Sequence, residues 1–471
     1  MFDLDLSYSL LLIICLVAAC GFEFVNGFHD TANAVATVIY TNSLKPWTAV
    51  ILSGVCNFIG VFIGGIGVAV GIINLLPVES LIDQNIAHSI AMVMALLLSA
   101  IFWNLLTWYF GIPCSSSHTL IGSILGVGVA YSLLPGISET AVNWGKASDI
   151  GLSLLVSPLF GFTMTIVVMF VIRTLTKKTK NGELLFKEPK KNAPPPWGIR
   201  LLLILTCTGV STAHGSNDGQ KGVGLMMLIL IGIVPVYFAL NTNFDPSSLS
   251  QPLTRIENVI SSIDSVPLSL SDRARLSQSL AMTQSLSSQL GGKASVEMIP
   301  EEERFMVRRD ILLVDRNMKT LLKNEDVKMS KAERDVFEKE IKKVKGITDY
   351  SPRWVIVLIA ISLGIGTMIG WKRIVKTIGE KIGKEHLTYA QGASAELVAA
   401  STIGLSTYFG LPVSTTHVLS SGIAGSMVAS KGIKNLQADT IRNILIAWFL
   451  TLPVVMILSG TLFLLFRAIT G

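Results

Sequence analysis

The sequence has 471 residues, of which 50% are hydrophobic and 15% are charged, and its formal net charge is +6. This composition is typical of multi-span membrane proteins and argues against a soluble globular protein. The basic residues concentrate in short loops beside apolar segments, without an aromatic-rich basic face. They indicate cytoplasmic loops of a membrane protein rather than a surface that binds nucleic acid.

Apolar stretches of spanning length recur along the whole chain. About 20 residues cross the hydrocarbon core of a bilayer, and stretches of that kind lie near 8–25, 47–71, 86–110, 150–173, 354–371 and 441–467. Polar residues interrupt two further regions, which are 198–240 and 113–132 with its partner 412–430. The first six residues contain no Lys or Arg, so we do not expect a cleaved signal peptide.

The chain repeats itself. YFGIPCSSSHTLIGSILG (109–126) aligns without gaps to YFGLPVSTTHVLSSGIAG (408–425), and a weaker pair joins GFHDTANAV (27–35) to GSNDGQKGV (215–223). The offset is 299 for the first pair (109 to 408) and 188 for the second (27 to 215). These offsets differ by 111, which is the length of the hydrophilic stretch 241–351. The second half is therefore predicted to be a copy of the first half with one domain inserted.

We predict an all-α polytopic membrane protein that is built from two inverted-topology repeats with a small helical insert. The predicted parts are membrane repeat 1 (1–175), a cytoplasmic basic linker (176–197), the start of membrane repeat 2 (198–240), the soluble, mostly helical insert (241–351) and the remainder of repeat 2 (352–471).

Two loops rich in Lys and Arg, 173–200 and 372–384, determine the predicted topology. If both are cytoplasmic, 8–40 and 198–240 must each cross once, as two half-helices broken around the polar motifs GFHDTANA and HGSNDGQKG. Each half then crosses five times, so the halves are inverted, as in many secondary transporters. Both termini and the insert are predicted to be periplasmic. The loop with Glu79 and Asp83 is then outside, and the loop with Lys431 and Lys434 is inside.

Ionisable residues lie inside the repeated motifs. They are four histidines and two aspartates: His29, His118, His214, His417, Asp30 and Asp218. At membrane depth a charge costs about 2.5–3.5 kcal/mol on insertion scales, so a functional role is the default interpretation. The only cation in these motifs is Lys221. Two carboxylates repel an anion in a low-dielectric site unless a proton, a metal ion or Na⁺ joins them. The motifs therefore predict a pocket for a cation together with an oxyanion.

Two runs of hydroxyl residues each follow a proline and are typical of helix N-termini. They are Ser115, Ser116 and Ser117 in the first copy, and Ser414, Thr415 and Thr416 in the second. Helix N-termini offer free N–H groups and partial positive charge, which suit a tetrahedral oxyanion. The alternative is that these hydroxyls only cap helices, and that His118 and His417 only satisfy nearby carbonyl groups.

At these residues the sequence resembles the inorganic phosphate transporter (PiT) family, and most of all the bacterial low-affinity transporters of the inner membrane. The resemblance implies transport of phosphate, with arsenate as a mimic, together with a coupling cation. In the bacterial branch that cation is a proton, and the substrate is a neutral complex of phosphate with a divalent metal such as Mg²⁺. Carried over by motif, Asp30, Asn33, Asn217 and Asp218 line the pocket, and the two hydroxyl runs bind phosphate.

Two residues depart from the family pattern. His29 and Lys221 stand where asparagine is usual, and an imidazole and a fixed ammonium could each replace a bound Na⁺. We therefore expect proton coupling, with His29, Asp30, Asp218 and Lys221 as the coupling residues. The alternatives are a sodium-coupled symporter and an anion channel, although a channel does not need paired carboxylates.

Neither catalysis nor a cofactor is indicated by the sequence. Ser117 and His118 are adjacent on one predicted helix and do not face each other, so they do not form a nucleophile and base. Gly60 and Gly64, like Gly67 and Gly71, have the spacing of close helix contacts, inside one protomer or across a homodimer.

Overall fold

Every regular element in the described residues is a helix, which confirms the all-α prediction. The computed structural model describes residues 4–76, 86–135, 142–179, 182–190, 193–324 and 326–470, apart from the side chains of Thr31, Asn33 and Thr470. The predicted outside loop with Glu79 and Asp83 lies outside these residues. Two compact units form the chain: residues 3–229 with 352–471, and residues 230–351.

The first unit contains the helices of both predicted repeats. Before the second unit they are α1 (Leu6–Tyr40), α2 (Pro46–Ile63), α3 (Gly67–Ile73), α4 (Ile86–Tyr109), α5 (Ser116–Ser132), α6 (Trp144–Thr176), α7 (Gly182–Leu185) and α8 (Trp197–Ile233). α8 lies in the region predicted to begin repeat 2, and its last turn belongs to the second unit. The second unit then contributes α9 (Pro235–Phe238), α10 (Ser250–Ser261), α11 (Leu270–Leu290), α12 (Glu301–Leu321) and α13 (Lys331–Lys345). The chain returns through α14 (Arg353–Thr367), α15 (Lys372–Glu380), α16 (Tyr389–Tyr408), α17 (Thr415–Lys431) and α18 (Ala438–Thr470).

Five helices in the described part of the chain are long and apolar enough to cross a membrane, namely α1, α2, α4, α6 and α18. A sixth span results if α14 and α15, which meet at a bend of 62°, are counted together. These helices cover the six predicted apolar stretches. Side chains such as Leu155 on α6 and Phe449 on α18 are mostly exposed, as expected for surfaces that contact lipid.

The prediction that 8–40 and 198–240 are each broken into half-helices is wrong, because α1 and α8 run through both polar motifs without interruption. Their glycines serve close packing instead of chain breaks. A Cβ atom on Gly27 would overlap the backbone of Leu363 on α14, and one on Gly215 would overlap the backbone of Asn57 on α2. The polar side chains of the motifs find partners on neighbouring helices, so the backbone does not need to unwind.

The two aligned copies adopt the same local structure where one helix turns into the next. Gly111 after α4 and Gly410 after α16 both have φ of 66°, a left-handed conformation that favours glycine. The chain then passes a proline and begins a new helix. The side chains of Ser115 and Ser414 cap α5 and α17 by accepting the N–H groups three residues later. The predicted helix starts are confirmed, whereas the inverted orientation of the two halves stays a prediction.

Equivalent glycines in the two copies also pack equivalent helices. A Cβ on Gly126 of α5 would overlap the carbonyl of Met456 on α18, and a Cβ on Gly425 of α17 would overlap the carbonyl of Phe162 on α6. Gly60 and Gly64 of α2 approach the backbone of α8 in the same way. The small-residue spacing of Gly60 and Gly64 therefore serves contacts inside the protomer.

The second unit has its own apolar core, which is built by α10, α11, α12 and α13. α13 begins with a capping box in which Ser330 and Glu333 satisfy each other's backbone N–H groups. Arg308 is completely buried and donates to two backbone carbonyls, those of Ala239 and Thr348. The predicted insert 241–351 is helical as expected, and the compact unit begins earlier, at residue 230.

The close helix contact at Gly425 predicts an effect on stability. Gly425→Ala should lower the free energy of unfolding by about 1–3 kcal/mol, because the added methyl group overlaps backbone that cannot move aside. Gly404→Ala is the matched control, since Gly404 lies in helix α16 with nothing within 4 Å of its added Cβ. Thermal unfolding of both variants in detergent is the measurement. Equal melting temperatures for the two variants would contradict the assigned contact.

Candidate functional site

Four chain segments meet around Asp30, which lies in the middle of α1 and is buried. Ser116 Oγ, from the start of α5, donates to Asp30 Oδ2 at 2.9 Å. Thr415 Oγ1 donates to the same oxygen at 3.5 Å, and Thr416 Oγ1 donates to Oδ1. Ser116 Oγ also lies 3.5 Å from Asp218 Oδ2 on α8. Hydroxyl groups from both copies therefore converge on the two aspartates, which the sequence predicted to lie together.

Lys221 neutralises part of this negative charge. Its Nζ atom lies 2.6 Å from Asp218 Oδ1, one turn earlier on α8. The same ammonium donates to Ser117 Oγ at 2.5 Å and to the backbone carbonyl of Val413 at 2.8 Å. A lysine ammonium has three N–H donors, and all three are engaged here. Lys221 thus ties α8 to the starts of both hydroxyl-capped helices.

His214, an ionisable residue of the second motif to which the sequence assigned no specific role, belongs to the site. Its Nε2 atom lies 3.7 Å from Asp30 Oδ2 and 3.6 Å from Asp218 Oδ2. The available signal in the sequence was its position four residues before Asp218, which places both side chains on one face of α8.

The orientation of His214 is set by a chain of hydrogen bonds from α2 and α14. Thr367 Oγ1 donates to the carbonyl of Leu363 at 2.8 Å and accepts from Asn57 Nδ2 at 2.9 Å. Asn57 Oδ1 is then the acceptor that lies 2.8 Å from His214 Nδ1. This hydrogen bond assigns a proton to Nδ1 and directs Nε2 towards the two carboxylates.

Asp30, His214 and Asp218 can hold a metal ion. One ligand atom from each residue lies within 4.8 Å of the others, and all three side chains are buried. Two carboxylates and one imidazole form a donor set that suits divalent cations. The arrangement therefore offers a cation position directly beside two helix N-termini.

His29 supports Asp30 from the side of α4. Its Nδ1 atom lies 3.4 Å from Asp30 Oδ1, and its Nε2 atom lies 3.3 Å from Thr107 Oγ1. Thr107 donates its hydroxyl proton to the carbonyl of Trp103 at 2.9 Å. The imidazole is completely buried between these partners.

Other predicted residues lie at the site, and their side chains form hydrogen bonds with the backbone around it. Ser115 and Ser414 cap α5 and α17, which fits the capping alternative for these two hydroxyls. Asn217 donates to Thr407 Oγ1 at 3.0 Å and to the carbonyl of Leu411 at 3.2 Å. Its amide therefore positions the turn before α17. The side chain of Asn33 lies outside the described residues.

The two motif histidines that follow the hydroxyl runs contact each other instead of the carboxylates. The ring centroids of His118 and His417 are 4.5 Å apart, and His417 stacks on Trp448 at 3.8 Å. The residues that do meet in one buried cluster are His29, Asp30, Ser116, Ser117, His214, Asp218, Lys221, Thr415 and Thr416.

Comparison with known proteins gives consistent matches. The sequence model of the phosphate transporter family matches residues 26–459. The chain is 40% identical to the low-affinity inorganic phosphate transporter PitA of Escherichia coli K12, over 98% of this chain and 97% of that protein. It is 41% identical to the low-affinity inorganic phosphate transporter of Buchnera aphidicola subsp. Acyrthosiphon pisum, with the same coverage. A solved sodium-dependent phosphate transporter has a similar fold, with a TM-score of 0.56 at 20% identity, covering 98% of this chain and 99% of that chain.

The buried ion pair predicts a stability difference between single and double variants. Lys221→Met should lower the free energy of unfolding by about 3–5 kcal/mol, because it leaves the Asp218 charge buried without its partner. The double variant Lys221→Met with Asp218→Asn should recover part of that loss. Thermal unfolding in detergent measures both.

The control for that comparison is an exposed pair. The side chains of Lys187 and Glu183 are 65% and 85% exposed and lie 3.6 Å apart. Lys187→Met should therefore cost at most about 1 kcal/mol. If Lys221→Met costs no more than Lys187→Met, the ion pair does not hold the site together.

Proposed function

The chain belongs to the phosphate transporter family, and on that basis we propose that it imports inorganic phosphate by proton symport. Phosphate enters as a neutral complex with a divalent metal such as Mg²⁺, and arsenate is accepted as a mimic. The resemblance seen in the sequence motifs is correct at the level of the family, which is a family of transporters and not of enzymes. Beyond the family, we propose the proton as the coupling ion and the metal–phosphate complex as the substrate.

The observation that supports the proposal is that the hydroxyl groups at the starts of α5 and α17 form hydrogen bonds directly to the buried carboxylates. Ser116 and Thr415 donate to Asp30 Oδ2, the oxygen that also lies 3.7 Å from His214 Nε2. A divalent cation between Asp30, His214 and Asp218 would take over these carboxylate oxygens and release the hydroxyls. The released hydroxyls and the N–H groups at the starts of α5 and α17 then bind phosphate.

The cation therefore creates the anion site. Without it, a phosphate dianion would meet two carboxylates in a low-dielectric cluster, where like charges repel strongly. With it, cation and anion each raise the affinity for the other, since such coupling is reciprocal. This favours a carrier that binds both ions over an anion channel, which has no need of paired carboxylates.

Lys221 favours proton coupling over sodium coupling. Its ammonium lies among three oxygens, those of Asp218, Ser117 and Val413, where a bound Na⁺ would otherwise find ligands. A covalently attached cation at this position does not dissociate and cannot be transported. Sodium symport remains the alternative. The solved sodium-dependent phosphate transporter, at 20% identity, supports the fold alone.

We further propose that the protein lies in the inner membrane of a bacterium, with both termini and the second unit in the periplasm. Its bacterial relatives are low-affinity phosphate transporters, and the apolar helices are long enough to cross a bilayer. Whether two copies form a homodimer stays a prediction of the glycine-rich sequence.

Uptake of labelled phosphate into proteoliposomes tests the coupling ion. With Mg²⁺ present, uptake should persist without sodium and should stop when the pH gradient is removed. Omitting Mg²⁺ should reduce uptake, because the carboxylates then lack their neutralising partner. Sodium, pH and Mg²⁺ are to be varied independently. Strict dependence on sodium would reject proton symport.

The two central aspartates are predicted to be essential for transport but not for folding. Asp30→Asn and Asp218→Asn should each abolish phosphate uptake, because each removes one charged ligand of the cation. Asp149→Asn is the matched control, since Asp149 lies exposed on the membrane helix α6. The amount of protein in the membrane and its elution from a sizing column report on folding. Retained uptake in both site variants would contradict the assigned roles.

A further inference from the structure

Glu23 is a third buried carboxyl group beside the site, and none of the roles above uses it. It lies on α1, two turns before Asp30 and on the same face, and its side chain is completely buried. Gly222 of α8 packs directly against it, because a Cβ on Gly222 would lie 2.5 Å from the carboxyl carbon and Oε1 of Glu23. An ionisable group at this depth is expected to have a function.

The carboxyl group of Glu23 and the amide of Asn26 together lack one hydrogen-bond donor. Asn26 Nδ2 donates to Glu23 Oε2 at 3.2 Å. Glu23 Oε1 and Asn26 Oδ1 are both buried, and neither has a hydrogen-bond partner among the described residues. Both of these atoms are acceptors when the carboxyl group is ionised. A single proton on Oε1 turns one of them into a donor for the other.

Among the described residues, no side chain supplies the missing donor. The charged and titratable groups that interact with Glu23 are Asp30 and Cys20 on its own helix, and Asp218 and Lys221 on α8. Lys221 is the only cation among them, and its three N–H groups already bind Asp218, Ser117 and the carbonyl of Val413. An ionised Glu23 would add a third carboxylate to a cluster that contains one ammonium.

We propose that Glu23 binds the proton that is transported with phosphate, and that Asn26 is its hydrogen-bond partner in the protonated state. The proton adds to Oε1 as the substrate enters and leaves from the same oxygen as the substrate is released. This role rests on the proton symport proposed above. Coupling follows from charge, since a phosphate anion bound at the starts of α5 and α17 favours a neutral Glu23, and a neutral Glu23 favours the anion.

Glu23→Gln separates proton coupling from substrate binding. The amide of Gln places an N–H donor where the protonated acid has its O–H, and it cannot release a proton. In proteoliposomes with Mg²⁺, this variant should lose accumulation of phosphate driven by a pH gradient and should lose phosphate-dependent proton influx. It should retain exchange of labelled for unlabelled phosphate at equal pH, because exchange does not require release of the proton.

The matched control is another buried carboxyl group in the same membrane unit. Glu396 on α16 is completely buried and accepts from Thr206 Oγ1 at 2.5 Å. Its Oε1 atom is buried without a hydrogen-bond partner among the described residues, as in Glu23, but its carboxyl group lies beside Thr206 and Thr37 and not beside the aspartate cluster. Glu396→Gln should retain both proton-driven accumulation and exchange.

If Glu23→Gln does not fold, chemical labelling of carboxyl groups in the unmutated protein tests the same proposal. A hydrophobic carbodiimide reacts with protonated carboxyl groups in apolar surroundings, and peptide mass mapping identifies the modified residue. Glu23 should become labelled as the pH is lowered through the range in which uptake occurs. Absence of label at Glu23 throughout that range would overturn the proposal.

The outcomes distinguish the two proposals. If the unmutated protein accumulates phosphate only with sodium, proton symport fails and the role of Glu23 fails with it. If the unmutated protein is driven by the pH gradient and Glu23→Gln is driven equally well, only the role of Glu23 is overturned. Loss of coupling in Glu396→Gln but not in Glu23→Gln would move the proton site to α16.

Discussion

The burial of two carboxylates side by side is the constraint on which the rest of the structure depends. Asp30 and Asp218 come from different halves of the chain, and each approaches His214 Nε2 to within 3.7 Å. Such a pair is unstable in a low-dielectric interior unless donors and positive charge surround it. The hydroxyl runs, the ammonium of Lys221 and the positive ends of α5 and α17 meet that requirement. The same arrangement brings together ligand atoms of Asp30, His214 and Asp218 that can hold a cation.

Glycine makes this convergence geometrically possible. α1 approaches α14 at Gly27, α8 approaches α2 at Gly215, and α5 and α17 approach α18 and α6 at Gly126 and Gly425. At each contact, a larger residue would push apart helices whose side chains must meet at one point. Packing of small residues thus determines how closely the polar groups can gather, and close packing is the main source of helix association in a membrane.

Three kinds of polar residue share the work in this site. Asp30, His214 and Asp218 face one another and offer ligand atoms, whereas Asn57 and Asn217 hold other residues in place through their amides. Lys221 and Glu23 differ from both groups, since one is a fixed positive charge and the other lacks a hydrogen-bond donor.

The sequence by itself determined the membrane class, the six apolar spans, the repeat and the helix starts at Ser115 and Ser414, because these depend on local composition and on residues next to one another. It also indicated that the acidic motifs meet the hydroxyl runs. The tertiary structure decided that α1 and α8 stay unbroken, since only neighbouring helices can satisfy the polar groups of the motifs. It also decided the contacts of His214, Asn217 and Glu23, because these depend on which atoms face each side chain across a helix contact, and residue spacing along the chain does not contain that information.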